Sequence, residues 1–210
     1  MTEKTKIHRL AERGVSDMES INAILDEGFI CHAAYVVDER PVVLPTLYAR
    51  DGESVLLHGS NSMGIARAVR RGSPLSVAVT HIDGLVVART GFHSSANYRS
   101  VVIHGYGEIL TGEDQTRALN IIVDVLIPGR LADIRSNSEA ELKQTSVIRL
   151  ALEDVSAKVR TGDPSDDPED INTGVWAGVV PMTLQAGAPI PATDLEDAVK
   201  TPDYLDPYRR

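Results

Sequence analysis

One cysteine in 210 residues leaves no partner for an intrachain disulfide. Cys31 sits in the apolar run Phe29-Ile30-Cys31-His32-Ala33-Ala34-Tyr35, where it reads as a buried, inert thiol and not a nucleophile. That composition fits a reducing, cytoplasmic setting, and a chain of this size buries enough apolar surface for one domain without a covalent staple. Long apolar runs are missing too: nothing approaches the roughly 18 residues of a membrane-spanning helix, and Met1-Thr2-Glu3-Lys4-Thr5-Lys6 is not followed by the apolar core of a leader segment. Positive charge is scarce. A formal net charge of −9 argues against nucleic acid and anionic membrane as partners, since both are bound through basic patches. His8, His32, His58, His81, His93 and His104 show no paired spacing with cysteine and no His-Glu-x-x-His pattern, so no metal site is expected. Gly-x-Gly-x-x-Gly, the Walker turn and Gly-x-Ser-x-Gly are absent, and there are no internal repeats.

What is present reads mostly as short strands. Ser16-Asp17-Met18-Glu19 reads as a capping box opening a helix with Met18, Ile21, Ile24 and Leu25 on one side and a stop at Gly28. Strand-like runs follow at 29–37, 41–48 and 54–58, then a helix over 61–71, then strands at 75–81 and 85–90 joined by a turn at Asp83-Gly84, and a strand over 98–110. A third helix spans 113–126, where Ala118, Leu119, Ile122, Val125 and Leu126 recur at helical spacing before Pro128-Gly129. Residues 145–152, 155–159 and 175–181 return to strand composition. About nine strands close in sequence, few helices and no βαβ alternation predict a mainly β (α+β) chain folded as a closed or partly open antiparallel barrel. A barrel domain over 1–188 and an extended arm over 189–210, rich in Pro and Asp, complete the expected organisation.

Three polar groupings interrupt this pattern. The run Leu56-Leu57-His58-Gly59-Ser60-Asn61-Ser62-Met63-Gly64-Ile65-Ala66-Arg67 takes an apolar strand through a small polar turn into a helix, a geometry that suits a phosphate and equally serves as an ordinary capped connection. Gly91-Phe92-His93-Ser94-Ser95-Ala96-Asn97-Tyr98-Arg99 forms a polar, glycine-led loop between apolar strands. Lys158 and Arg160, two apart on a strand, share a face that Trp176 can join. Arg67, Arg70 and Arg71 make a small basic island, and the segment 163–170 is its acidic counterpart.

These blocks, in this order and separation, resemble the flavin-nucleotide-binding branch of the pyridoxamine 5′-phosphate oxidase-like split-barrel proteins. The resemblance implies an antiparallel split β-barrel with a few covering helices, holding FMN with its phosphate at His58, Gly59, Ser60, Ser62 and Arg67 and its ring along Val43-Leu44-Pro45-Thr46. Related sequences carry Arg or Lys just after the serine of the turn, where this chain has Met63 and Gly64. By the same resemblance Asn97 and Arg99 contact ring or substrate, His93 is the proton donor, and Lys158, Arg160 and Trp176 wall the cleft from a neighbouring subunit, making a homodimer with a small-molecule substrate. The implied activity is that of an FMN-dependent oxidoreductase. FAD, a deazaflavin or haem are the other cofactors considered, and a non-catalytic flavin- or haem-binding carrier or sensor, with His58 or His93 on the iron, is the alternative. Pyridoxamine-phosphate oxidase activity itself is not expected, because no His follows Trp176 and no Arg stands between Trp176 and Arg209.

Overall fold

The computed structural model describes residues 11–205; residues 1–10, His8 included, and 206–210 at the end of the expected arm lie outside them. Helix α1 (Met18–Glu27) is capped by Asp17, whose side chain accepts from Ser20 N at 2.8 Å, so the cap stands one residue later than the capping-box pattern suggests. Its stop at Gly28 is a matter of space: φ there is −89°, open to any residue, but a Cβ would lie 2.5 Å from Tyr48 Oη.

Strands β1 (Gly14–Val15), β2 (Ile30–Val37), β3 (Arg40–Asp51) and β4 (Ser54–Ser60) precede the short α2 (Gly64–Arg70). Then come β5 (Pro74–Val87), β6 (Ser95–Tyr106), β7 (Glu108–Leu110), α3 (Gly112–Leu126), α4 (Glu139–Gln144), β8 (Thr145–Ala151), β9 (Asp154–Arg160) and β10 (Gly178–Pro181). All pairings are antiparallel, in the order β1-β9-β6-β5-β2-β3-β4-β8-β7, with β10 on the edge of β5 that β2 leaves.

Four features depart from the sequence pattern. Asp83-Gly84 is not a turn; β5 runs straight through it with a bulge between Ile82 and Gly84, and the hairpin turns at 88–94 instead. The strand over 98–110 breaks at Gly107, where a Cβ would stand 2.8 Å from Ile148 Cγ2. Helix α4 has no apolar stripe to announce it and is held by a Ser138/Glu141 capping box. Residues 175–177 are irregular, leaving only Gly178–Pro181 as strand. Of the arm, a short 3-10 turn at Asp203–Leu205 docks Tyr204, which accepts from Arg130 at 2.9 Å and donates to Asp133 at 2.7 Å.

Alternation along the strands divides the molecule. Tyr35, Tyr48, Leu57, Val77, Ile103 and Leu150 point into one large inner cluster, which α1 and α2 complete with Ile21, Leu25, Ile65 and Val69. A smaller outer cluster lies under α3, where Ala118 and Ile122 cover Ala49, Leu56 and Val147. The outer face of β2, of the first half of β3 and of β5 and β6 carries no helix, and Val36, Val43, Ile82 and Tyr106 stand 47–71% exposed there. No helix among the described residues is long and apolar enough to cross a membrane.

Two side chains close the end of α1. Tyr48 Oη donates to Leu25 O at 2.6 Å, and His81 Nε2 lies 2.9 Å from Ile24 O, satisfying carbonyls that the last helical turn leaves open. Tyr48→Phe is therefore expected to cost about 1–3 kcal/mol by leaving a buried acceptor unmet. The check is the urea midpoint at constant m-value, and an unshifted midpoint would mean that this bond is dispensable.

Candidate cofactor site

At the junction of β4 and α2 the turn is welded to its surroundings. Met63 N donates to Ser60 O at 3.0 Å, Ser62 N to Ser60 Oγ at 3.3 Å, and the two hydroxyls of Ser60 and Ser62 lie 2.9 Å apart. Asn61 N donates to Gln144 O at 2.9 Å and its side chain to Lys143 O, tying the turn to α4. Arg70 donates to Asn61 O at 3.1 Å, Asn61 Oδ1 at 2.9 Å and Ser146 Oγ at 2.8 Å. The guanidinium that grips this turn thus belongs to Arg70; Arg67, expected to lean over it, faces the β2–β3 hairpin instead. Helix α2 starts at Gly64, three residues later than the pattern predicts, and its N-cap Met63 makes no side-chain cap.

The departure at Met63-Gly64 has a packing reason. A Cβ on Gly64 would lie 2.6 Å from Tyr35 Oη, so any larger residue at this position must displace that hydroxyl. Met63 in turn packs against the inner cluster with its sulfur over Gly59, where a Cβ would come within 1.8 Å of Sδ.

His58 is the residue this packing leaves with an unmet group. It stands on the outer face of β4 opposite Val147, and the register that pairs Tyr48 with Leu57 sets Leu47 beside it. On the other, inner side of β4 a small cavity is lined by Thr46, Leu57, Gly59, Met63, Ile65 and Ile148, with His58 at its wall. His58 Nδ1 is buried and has no hydrogen-bond partner. Burial pushes the imidazole below its ordinary pKa, so the neutral, lone-pair-bearing form prevails at pH 7. Along the outer face of β3 the apolar strip Leu47, Pro45 and Val43 runs away from it, with Val43 62% exposed. The site therefore combines a neutral imidazole, small polar groups at the turn, and a flat apolar ledge. Pro45 and Thr46 fall on opposite faces of β3: Pro45 on the ledge, Thr46 in the cavity.

The second and third groupings join each other and not this site. Arg99 is in β6, not a loop, and forms paired bonds to Asp83 (2.7–3.2 Å) and to Glu27, one of them at 2.8 Å. The Arg99 bonds hold both carboxyls below their ordinary range, and the arginine is raised in return. Asn97 donates to Gly162 O at 3.1 Å and accepts from Arg160, which also donates to Gly162 O at 3.1 Å and Asp163 O at 3.2 Å. Arg89 binds Asp166 through its backbone N–H and its guanidinium, each at 2.8 Å, while His93 Nε2 lies 3.2 Å from Asp167 Oδ2 with Phe92 edge-on to the ring. Together they clamp the acidic loop onto the β5–β6 hairpin. Lys158 shares the Arg160 face of β9, opposite Ser100, whereas Trp176 is 65% exposed with its ring against Gly178, on the far side of β6 and β5 from β9. Sequence reasoning missed Arg70, Asn61 and Ser146, whose convergence crosses up to 85 residues of chain.

The family model described as pyridoxamine 5′-phosphate oxidase matches residues 17–159. The FAD and haem binding protein from Mycobacterium smegmatis is 36% identical, with a TM-score of 0.89 over 92% of this chain and 96% of that one. A flavocytochrome from Azotobacter vinelandii is 32% identical, with a TM-score of 0.94 over 99% of this chain and 97% of that one. An FAD-binding protein from Mesorhizobium loti shares the fold at 18% identity, with a TM-score of 0.52 over 71% of this chain and 97% of that one. A search of curated proteins found no match.

The depressed imidazole gives His58 a pH signature. Because the folded state disfavours its proton, the unfolded chain takes up more protons as pH falls through about 6.5, and stability drops there. His58→Gln removes this dependence, so wild type should lose more stability than the variant between neutral and mildly acidic pH. Urea midpoints of both proteins on one pH series measure it, and parallel curves would show that His58 is protonated freely in the fold.

Proposed function

Because the chain belongs to the pyridoxamine 5′-phosphate oxidase family, a premise carried by the match over residues 17–159 and by two relatives above 30% identity, we propose that it is a flavin- and haem-binding oxidoreductase that passes electrons between the two groups. The single observation that carries the haem part is the buried, partnerless ring nitrogen of His58, beside relatives that hold haem.

The residues present fit both groups. A haem ligand must be unprotonated, which burial secures for His58. An isoalloxazine ring needs an apolar ledge reached from solvent, which Val43, Pro45 and Leu47 supply, and its phosphate end has Ser60 and Ser62 hydroxyls at the turn. When bound, flavin exchanges one or two electrons and haem iron exchanges one, so the pair converts two-electron into one-electron transfers. The protein's part is to hold: Arg70 and Asn61 fix the turn, Met63 and Tyr35 fix the backbone under it, and the ledge excludes water from one side of the ring.

His93 is the weaker choice for the iron, and equally for the proton donor, because Asp167 already engages its Nε2. The uncovered face of β2, β3, β5 and β6 supports a homodimer in which a second copy covers the ledge, since exposed valines, Ile82 and Tyr106 are gathered on one side. In this reading Lys158 and Arg160 lie along the margin of that face and the site draws on both subunits.

Visible spectra of the purified chain test the proposal. Wild type should show a haem Soret band together with flavin absorption, and His58→Ala should lose the Soret band while keeping flavin and the folded far-UV spectrum. Stoichiometric haem in the His58→Ala protein would overturn the assignment. Light scattering should give twice the chain mass of 22.7 kDa, and a flavin-loaded monomer would overturn the dimer.

A further inference from the structure

In a chain of net charge −9 one cavity is edged by cations. Between the tip of the β2–β3 hairpin and the last turn of α2 lies a cavity of about 360 Å³, walled by Val36 and Val37 and edged by Arg67, Arg71, Ser73 and Asp38. Arg67 and Arg71 are four apart, so they rise from one face of the helix toward the same space. Arg70, on another face, is consumed at the turn. The Arg67 guanidinium has no hydrogen-bond or ion-pair partner among the described residues. Arg71 meets only Asp38, at 3.8 Å, beyond hydrogen-bond length, with the two side chains 69% and 83% exposed. The hairpin tip is held in a left-handed conformation by two non-glycine residues, Asp38 at φ 48° and Glu39 at φ 64°, which fixes the rim opposite the helix.

We propose that this cavity is an oxyanion site that takes the phosphate or diphosphate group of a nucleotide. Two guanidiniums offer planar forks of donors to the anion, and Ser73 Oγ adds a third donor from the floor of the turn after α2. Asp38 is the opposing charge on the rim, and its loose contact with Arg71 leaves that guanidinium free to turn to an anion. Helix α2 separates the cavity from the Ser60–Ser62 turn by ~10 Å, within reach of one dinucleotide. The anion is thus either the diphosphate of the flavin dinucleotide, in which case the inference rests on the flavin reading above, or the phosphate of a separate nucleotide.

Sodium pyrophosphate is the probe, titrated calorimetrically into the full chain at low ionic strength, with and without added FAD. Wild type should bind, Arg67→Gln should weaken binding about tenfold, Arg67→Gln/Arg71→Gln should abolish it, and Asp38→Asn should tighten it. If FAD blocks pyrophosphate, the site belongs to the flavin; if the two bind together, it belongs to a second nucleotide. Either result supports the oxyanion site. Equal affinity in wild type and the double variant, weaker binding in Asp38→Asn, or no binding at all would overturn it. These residues are exposed and outside the core, so folded variants are expected, and far-UV spectra verify this. The Soret band and flavin absorption of the same samples report separately on the His58 site.

Discussion

Rolling the antiparallel sheet into a barrel buries one face of its long strands and leaves the other to be covered by something else. In this molecule α3 covers only the outer face over β4, β8 and the second half of β3, because its Ala118 and Ile122 find Ala49, Leu56 and Val147 there. The rest of the outer face stays open. His58 falls on the boundary, with Val147 on the covered side and the ledge of Leu47, Pro45 and Val43 on the open side. A group at such an edge is desolvated enough to stay neutral and still lies next to accessible surface, which is the condition a metal-binding imidazole needs.

Polar residues divide by whether their bonding capacity is already met. Arg99, Asn97, Arg160, Arg89 and Arg70 are each engaged with carboxylates, carbonyls or amides, and their work is to hold segments together: α1 to the β5 bulge, the acidic loop to the hairpin, the turn to α4 and β8. Among the described residues the buried atoms left over are His58 Nδ1, Asn22 Oδ1 and Arg89 Nε, and the Arg67 guanidinium is left over at the surface. A binding surface is built from groups of this second kind, because a ligand gains little from a donor already satisfied. His58 stands on β4 before the turn and Arg67 in the middle of α2, one offering a lone pair and the other positive charge.

Most strands, the antiparallel pairing of those consecutive in the chain, and α1 and α3 were legible, since alternation and helical spacing are local properties that burial then enforces, whereas the pairings β2–β5, β4–β8 and β6–β9 were not. Reading Asp83-Gly84 as a turn failed because the same dipeptide serves a bulge when Arg99 waits on the next strand for the carboxylate that the bulge presents. α4 escaped notice because six residues without an apolar stripe carry no periodic signal.

By itself the sequence determined the mainly β pattern of short strands, the place of the polar turn between β4 and α2, and the family resemblance, because each depends on neighbours close along the chain, whereas the strand order that makes the barrel does not. Tertiary structure alone decided which arginine grips that turn. Arg67 and Arg70 are three apart and chemically identical, and only the arrival of Ser146 and Asn61 on one side and the β2–β3 hairpin on the other assigns them to different sites. It also decided that Gly64 makes room for Tyr35 instead of marking a missing cation, and that His58 keeps an unmet nitrogen. Those outcomes depend on contacts between strands and helices far apart in the chain, which no local pattern encodes.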